Sequence, residues 1–504
     1  MIFQLVMLTI GATIKMVVLF FTLCAGLHQR GLLLPAGVMF FGMMYAEFYL
    51  ENPLKMVVYY LSLFVGMGLC MFVHAKKTGK NPFVEMRERM KIPSTEKLKT
   101  ADKSGVFFGK IKRKFITKTE STDGHVLVVG GVGSGKSSCV AIPTLRAWKN
   151  AVFAIDIKGE LHQQSKNYRQ NIKVFNPLDN TSFGYDPYFC LHISDNRLQD
   201  ARAIAQAIIP LPHEIKEPFW IESAQNIFTA CILHCSGMGF SFLETIRYIQ
   251  SKPIKPLIYE LSQSEDENAP YYVNNFLDMD DKTLAGIISE LSKNIVPFIT
   301  DKNLISGLSR EKNIKPDDLE KNRDIFIQIP EHLLRQWKTL LTLIVSQFLT
   351  HFEKRDEQDA EPILFLLDEF PRLGKISAML DGLATLRSKK ICICLVIQSL
   401  AQLDVIYGEK ERKVISDTCA YKAILSATDA DTQEYFSRLV GTFDKPMTSY
   451  GENFNVFGLG GGRSTNTTEQ EKRTIKPEEF ALLTDIVLLT PHGMIRVEKM
   501  PYYL

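Results

Sequence analysis

Eight consecutive residues, Gly130-Gly131-Val132-Gly133-Ser134-Gly135-Lys136-Ser137, carry the strongest chemical signal in the sequence. They match G-x-x-x-x-G-K-[ST], in which glycines let backbone N–H groups wrap phosphates, the lysine reaches the β- and γ-phosphates, and the hydroxyl coordinates Mg2+. The expected nucleotide site is therefore Gly130 to Ser137 with the adjoining Ser138, Lys136 lying on the phosphates and Ser137 on the metal. A second signal is Asp368-Glu369, placed directly after the apolar run Ile363–Leu367. Asp368 would complete the Mg2+ shell, and Glu369 would orient and polarise the attacking water. Gln398 closes another apolar run, Ile391–Ile397, where its amide can sense the γ-phosphate or position water. Arg387 precedes it at the end of a helical stretch and is a candidate arginine finger acting across a subunit boundary. Lys389, Lys390 and Arg372 compete with it for that role.

These residues need a sheet to hold them. His125–Val129 reads as a short buried strand running into the glycine loop, and Pro143 is expected to end or kink the helix that follows. Ala151–Ile155, Ile172–Phe175, Ile325–Ile329, Ala420–Leu425 and Ile486–Thr490 read as further strands, alternating with helical stretches such as Glu331–Lys354. Apolar runs without alternation mark strands buried on both faces, so the expectation is an α/β fold with a parallel sheet covered by helices on both sides. From about His192 to Phe298 the strand signal fades. Helical periodicity takes over in Leu198–Ile209, Phe219–Cys235, Phe242–Gln250 and Asp281–Ile295, indicating an all-α insertion. The Gly-, Asn-, Ser- and Thr-rich residues 451–471 read as an exposed loop.

Of 504 residues, 46% are apolar and 23% charged, which excludes a disordered chain or a disulfide miniprotein. The net charge of +3 hides segregation: residues 1–75 carry +1, residues 76–118 carry +10 and residues 119–504 carry −8. In the first segment, Met56–Val73 is 18 residues without a charge. Leu5–Leu27 is long enough to span a bilayer but contains Lys15, and Gly31–Tyr45 is apolar but short. Two spans are favoured and three are the alternative. The basic cluster from Lys76 to Lys91 follows the last span, so the body is expected on the cytoplasmic side. Nine scattered cysteines give no disulfide framework. Cys231, His234 and Cys235 lie on an apolar helical pattern and read as core, as do Cys392 and Cys394.

Taken together, Gly130–Ser137 followed by Pro143, Ile155-Asp156-Ile157-Lys158-Gly159-Glu160-Leu161, Phe219-Trp220 with Glu222 and Ala224, Leu367-Asp368-Glu369-Phe370-Pro371-Arg372-Leu373-Gly374-Lys375, Gln398-Ser399 and Pro501-Tyr502-Tyr503 make the sequence resemble the type IV secretion coupling proteins, the TraG/TraD-type conjugation ATPases. The resemblance runs from about residue 54 to the end. It implies a RecA-like P-loop ATPase domain with an inserted all-α domain, preceded by N-terminal transmembrane helices. The corresponding organisation is a membrane region (1–75), a basic juxtamembrane stem (76–118), a nucleotide-binding domain in two parts (119–191 and 299–504) and the all-α domain between them (192–298). It also implies a homohexameric ring at the bacterial inner membrane that binds ATP and Mg2+. The implied partners are a relaxase with single-stranded DNA, or a secreted effector protein, together with subunits of the secretion channel. Arg387 stands where the family places its trans-acting arginine. Two departures from the expected family pattern stand out: the apolar block Gly31–Tyr45 in place of a polar outer domain, and a chain that ends almost at Tyr503, where a long C-terminal extension is expected in some members.

Two other functions fit parts of this pattern. A chromosome pump of the FtsK kind would carry more spans and a winged-helix DNA reader. A receptor scaffold would use ATP only to assemble its ring, and intact Lys136, Asp368, Glu369 and Gln398 argue for hydrolysis instead.

Overall fold

The structure, a computed structural model, describes residues 104–121, 123–193, 195–212, 215–356, 360–452 and 463–503. The membrane spans expected in residues 1–75 and most of the basic stem lie outside them. Among the described residues no single helix is long and apolar enough to cross a membrane. The described residues form one compact unit.

Thirteen strands are described: β1 (Gly105–Ile111), β2 (Lys114–Thr119), β3 (Val126–Val129), β4 (Val152–Ile155), β5 (Ile172–Phe175), β6 (Asp324–Ile327), β7 (Ile363–Leu367), β8 (Ile391–Ile397), β9 (Tyr421–Ile424), β10 (Thr442–Glu452), β11 (Arg463–Arg473), β12 (Asp485–Thr490) and β13 (Gly493–Glu498). Eleven make one sheet in the order β2-β1-β13-β12-β9-β3-β8-β7-β4-β6-β5. From β9 to β5 every pairing is parallel. Among them β3 reads Val-Leu-Val-Val and β7 Ile-Leu-Phe-Leu-Leu because both faces are covered. Leu127, Phe153, Phe365 and Ile393 pack on one face with helix Leu334–Glu353 and the inserted helices. Val126, Ala154, Leu366 and Cys394 pack on the other with Val140, Leu145 and Trp148.

The expected all-parallel sheet is corrected at one flank. β12 runs antiparallel to β9, and β13, β1 and β2 continue antiparallel from it. Hairpin-linked flanking strands need only one apolar face, so β13 alternates buried Ile495 and Val497 with exposed Arg496 and Glu498. The stem boundary at residue 118 falls within the β1–β2 hairpin, because the basic residues Lys110, Lys112, Arg113 and Lys114 sit at or near its turn while Phe108 and Ile116 are buried. Residues 451–471 do not form a plain loop: their ends belong to β10 and β11, which pair antiparallel from Thr442–Arg473 to Glu452–Arg463. Gly458–Gly462 lies outside the described residues.

The helical insertion sits between β5 and β6. Helix Phe219–Gly237 is its axis, with Arg197–Ile208, Ala269–Val273 and Asp281–Ile295 packed around it. Trp220 lies on Gly286, where an added Cβ would come within 2.6 Å of the indole. Ser241 and Glu244 form a reciprocal capping box on helix Phe242–Ser251. Cys231 and Cys235 are buried free thiols, and no cluster of metal-ligating side chains occurs among the described residues.

Candidate functional site

Parallel strands place all their C-terminal ends on one edge, and β3, β8, β7 and β4 are consecutive there. The glycine loop leaves β3 and is tied to β8 through the Gly130 N–H, which donates to the Ile397 carbonyl at 3.2 Å. Gly133 and Gly135 have φ of +73° and +97°, a region costly for residues with a Cβ. A Cβ on Gly135 would also lie 2.9 Å from the Cys139 sulfur. Val132 is exposed at the loop's tip. The Lys136 ammonium donates to the Gly130 and Gly131 carbonyls at 2.5 and 3.1 Å. Burial pulls its pKa down, partly offset by the charges of Asp368 and Glu369. The buried Ser134 hydroxyl has no hydrogen-bond partner within the protein. Ser137 lies in the first turn after the loop, while the Ser138 hydroxyl turns back toward the Gly135 carbonyl at 3.5 Å.

Lys136–Ala141 form a widened π-type turn that passes into helix Ile142–Ala147. Pro143 has no N–H to give to the Cys139 carbonyl, so the regular ladder cannot run through it, and the helix stops before Trp148. The chain's last residues brace this short element. Tyr502 donates its N–H to the Ser138 carbonyl at 2.9 Å. Arg146 lies between the Tyr168 and Tyr502 rings, 4.5 and 4.8 Å from their centroids, and donates to the Tyr502 carbonyl.

Asp368 closes β7 and is only 8% exposed. Burial, then the charge of Glu369, raises its pKa to about 6. Glu369 adopts a left-handed backbone, φ +49°, uncommon for a residue with a Cβ. Its carboxylate accepts from Arg372 at 2.6 Å and pairs with Lys158 at 3.2 Å. Burial pushes the Glu369 carboxyl up, but these two cations outweigh it and hold it below the ordinary value. Arg372 also pairs with Glu331 at 2.7 Å, so it is committed within its own subunit. Lys158 comes from the turn after β4. There Asp156, 1% exposed, accepts the Leu161 and His162 N–H groups and starts the next helix. Gln398 extends β8 between the glycine loop and Asp368, half-buried, its carbonyl accepting from Gln402 at 3.3 Å.

The structure therefore brings Gly130–Ser138, Asp368, Glu369 and Gln398 to one edge. It does not bring Arg387 there. Arg387 is exposed before the first residue of β8, at the opposite edge of the sheet. Strand rise puts about 23 Å between the two ends of β8. Sequence reading quoted Lys158 within a motif without giving it a role, and missed Ser426. The Ser426 hydroxyl accepts the Gly131 N–H at 3.0 Å from just beyond β9.

This set fits a nucleotide with Mg2+. Ser134 leaves a buried hydroxyl for a phosphate oxygen, and Ser137 with Asp368 offers hard oxygen donors. A cation beside Asp368 would offset the like charges of Glu369 and Asp156. Mg2+ takes one or two such protein ligands and fills its remaining positions with phosphate oxygens and water.

The family model for type IV secretory system conjugative DNA transfer matches residues 80–504. Protein VirD4 of Agrobacterium fabrum (strain C58) is 26% identical over 404 residues, covering 76% of this chain and 59% of VirD4. Conjugal transfer protein TraG of Rhizobium radiobacter is 25% identical over 378 residues, covering 70% and 58%. The chain thus spans about three-fifths of the length of these relatives. Among solved structures, the plasmid coupling protein TrwB in complex with the ATP analogue ADPNP superposes with a TM-score of 0.64 at 17% identity, covering 81% of this chain and 91% of TrwB. Unbound TrwB lacking its first 70 residues gives 0.59 at 18%, covering 75% and 84%. These likenesses show a shared fold.

Proposed function

The chain belongs to the type IV secretory system conjugative DNA transfer family, and from that premise we propose that it is a membrane-anchored coupling ATPase. It recruits a cargo and feeds it to a secretion channel at the expense of ATP. The observation that carries this reading is the meeting, at one sheet edge, of a glycine loop, a buried Asp368, a held Glu369 and an amide from the intervening strand.

In this reading the loop's N–H groups and the Lys136 ammonium bind the β- and γ-phosphates, Lys136 leaving the loop carbonyls to do so. Ser137 and Asp368 would hold Mg2+, which supplies charge neutralisation along the phosphate chain. Glu369 orients a water in line with the γ-phosphate and takes up its proton, while Lys158 and Arg372 fix the direction of its carboxylate. Gln398 senses the γ-phosphate between these groups. Arg387, at the far edge of its own sheet, acts on the nucleotide of a neighbouring protomer in a homohexameric ring, stabilising charge that develops in the transition state.

The cargo in this reading is a relaxase with its single-stranded DNA, or an effector protein. The all-α insertion receives it, and residues 1–75 anchor the ring in the inner membrane with the motor in the cytoplasm. The family's description as a DNA-transfer family supports DNA as the first cargo to test. The test pairs turnover with capture. Lys136→Ala loses nucleotide binding, whereas Glu369→Gln keeps it and loses turnover by roughly 10²–10⁴-fold. In-cell crosslinking through the insertion should recover the cargo from wild type and from Glu369→Gln. Cargo export that persists without turnover would favour the scaffold reading instead.

A further inference from the structure

Pro143 and Tyr502, far apart in the sequence, bear on one carbonyl, that of Ser138, in the wide turn that follows the glycine loop. In that turn the Ile142 N–H donates to the Ser137 carbonyl, five residues back rather than the four of an α-helix. A regular ladder would have given this N–H to Ser138. The wider ladder would serve Ser138 from position 143, and Pro143 has no N–H. Both ladders therefore pass over the Ser138 carbonyl. Its donor is the Tyr502 N–H, at 2.9 Å.

Tyr502 is itself held in place. Its carbonyl accepts from Arg146 Nη1 at 3.0 Å, and its ring lies on the Arg146 guanidinium. Arg146 is fixed in turn by the Gln164 carbonyl, which accepts from Nε and Nη2 at 3.0 and 2.9 Å. Three residues earlier, the half-buried Lys499 ammonium donates to the Leu425 and Leu483 carbonyls at 3.0 and 3.1 Å. Leu425 gives its N–H to the Val129 carbonyl at the end of β3, and the neighbouring Ser426 accepts the Gly131 N–H. Residues 499–502 are thus fastened to both supports of the glycine loop, the segment beyond β9 and the wide turn.

Lys136 opens that turn and Ser137 follows it, so the width of the turn sets where the Ser137 hydroxyl stands relative to the lysine. We propose that Tyr502 is a positioning residue for the nucleotide site: its N–H completes the turn that Pro143 leaves open, and so places Ser137 for Mg2+. It acts through Ser138, not on the nucleotide. This rests on the reading of Ser137 as a metal ligand. Without the Tyr502 bond the turn relaxes toward the regular ladder, in which Ile142 serves Ser138, and Ser137 shifts with it.

The test is a cycle between Tyr502→Pro, which removes the N–H, and Pro143→Ala, which returns a donor to the turn, in the purified full chain in detergent micelles. One readout is equilibrium binding of the fluorescent analogue mant-ATP, with Mg2+ or with EDTA. The other is amide hydrogen exchange across residues 137–142 without nucleotide. Tyr502→Pro should weaken binding roughly tenfold with Mg2+ and less in EDTA, where Ser137 has no metal to hold. Exchange across the turn should quicken roughly tenfold. In the Pro143→Ala background the same substitution should change either readout by no more than about threefold. Tyr503→Ala, beside it and exposed, should leave both unchanged. If Tyr502→Pro fails to fold, Tyr502→Gly decides by the same cycle, since it keeps the N–H but loses the ring that Arg146 holds. Equal losses in both backgrounds, a loss in EDTA as large as with Mg2+, or exchange unchanged by Tyr502→Pro would each overturn the proposal while wild type still binds. Failure of wild type to bind mant-ATP in either condition would overturn the nucleotide reading, and the proposal with it.

Discussion

Glu369 is gripped by two cations, Arg372 at 2.6 Å and Lys158 at 3.2 Å, although water activation needs only a free carboxylate edge. In the proposed mechanism their work is orientation. Arg372→Ala should therefore lower turnover by roughly 10–100-fold, the scale of a misplaced reacting group. Nucleotide affinity, read by equilibrium titration with a fluorescent ATP analogue, should stay within about twofold because neither cation touches the glycine loop. A change confined to affinity would contradict this assignment. At this scale the sequence was readable where chemistry is contiguous: a glycine run ending in Lys136-Ser137, and acids directly after an apolar strand. It was silent where partners are remote. The Ser426 hydroxyl reaches Gly131 from 295 residues away, and Tyr502 reaches Arg146 from 356.

Two element-scale contacts hold the strands that present the site. His125, just before β3, is fully buried. Its Nδ1 accepts the Ile393 N–H and its Nε2 donates to the Leu383 carbonyl, both at 3.0 Å. Only the neutral ring serves both partners, and burial lowers its pKa to about 4. The unfolded chain takes up this proton near pH 6.5 and the folded chain near pH 4. Stability is therefore complete above about pH 6.5 and falls as the pH drops through that window. His125 alone should remove about 2 kcal/mol between pH 8 and pH 5. Chemical unfolding of wild type and His125→Gln across that range should show the difference in slope, and parallel curves would refute it.

The second contact is Arg169 with Asp324, 2.5 Å apart and almost wholly buried, the arginine also capping the Leu145, Trp148 and Asn150 carbonyls. Arg169→Met strands a buried carboxylate and should destabilise the sheet edge by about 3–5 kcal/mol in the same unfolding assay. The central parallel strands β3, β4, β7 and β8 were legible because double burial leaves uninterrupted apolar runs. β1, β2 and β13 were not, because flanking strands mix charges such as Lys110, Lys114 and Arg496 into a short alternation that resembles a basic stem or a loop.

For the whole molecule, the acidic body and the basic segment before it were visible in the charge distribution, and the described fold adds a geometric constraint. Arg387 and the glycine loop occupy opposite edges of one sheet, so within one subunit they are separated by the length of β8. If Arg387 acts across a ring, subunits carrying Arg387→Ala and subunits carrying Glu369→Gln should each be inactive alone, and mixed rings should recover part of the turnover. Mixed assemblies that form and stay inactive would count against a shared site. In the proposed function, hydrolysis at Lys136, Asp368 and Glu369 drives cargo through a channel. Its most direct measurement is cargo transfer from cells whose only copy carries Glu369→Gln, with ATP binding and turnover of the same variant assayed in parallel. Binding should persist while turnover and transfer are lost together; transfer at the wild-type level with turnover abolished would rule out a hydrolysis-driven motor.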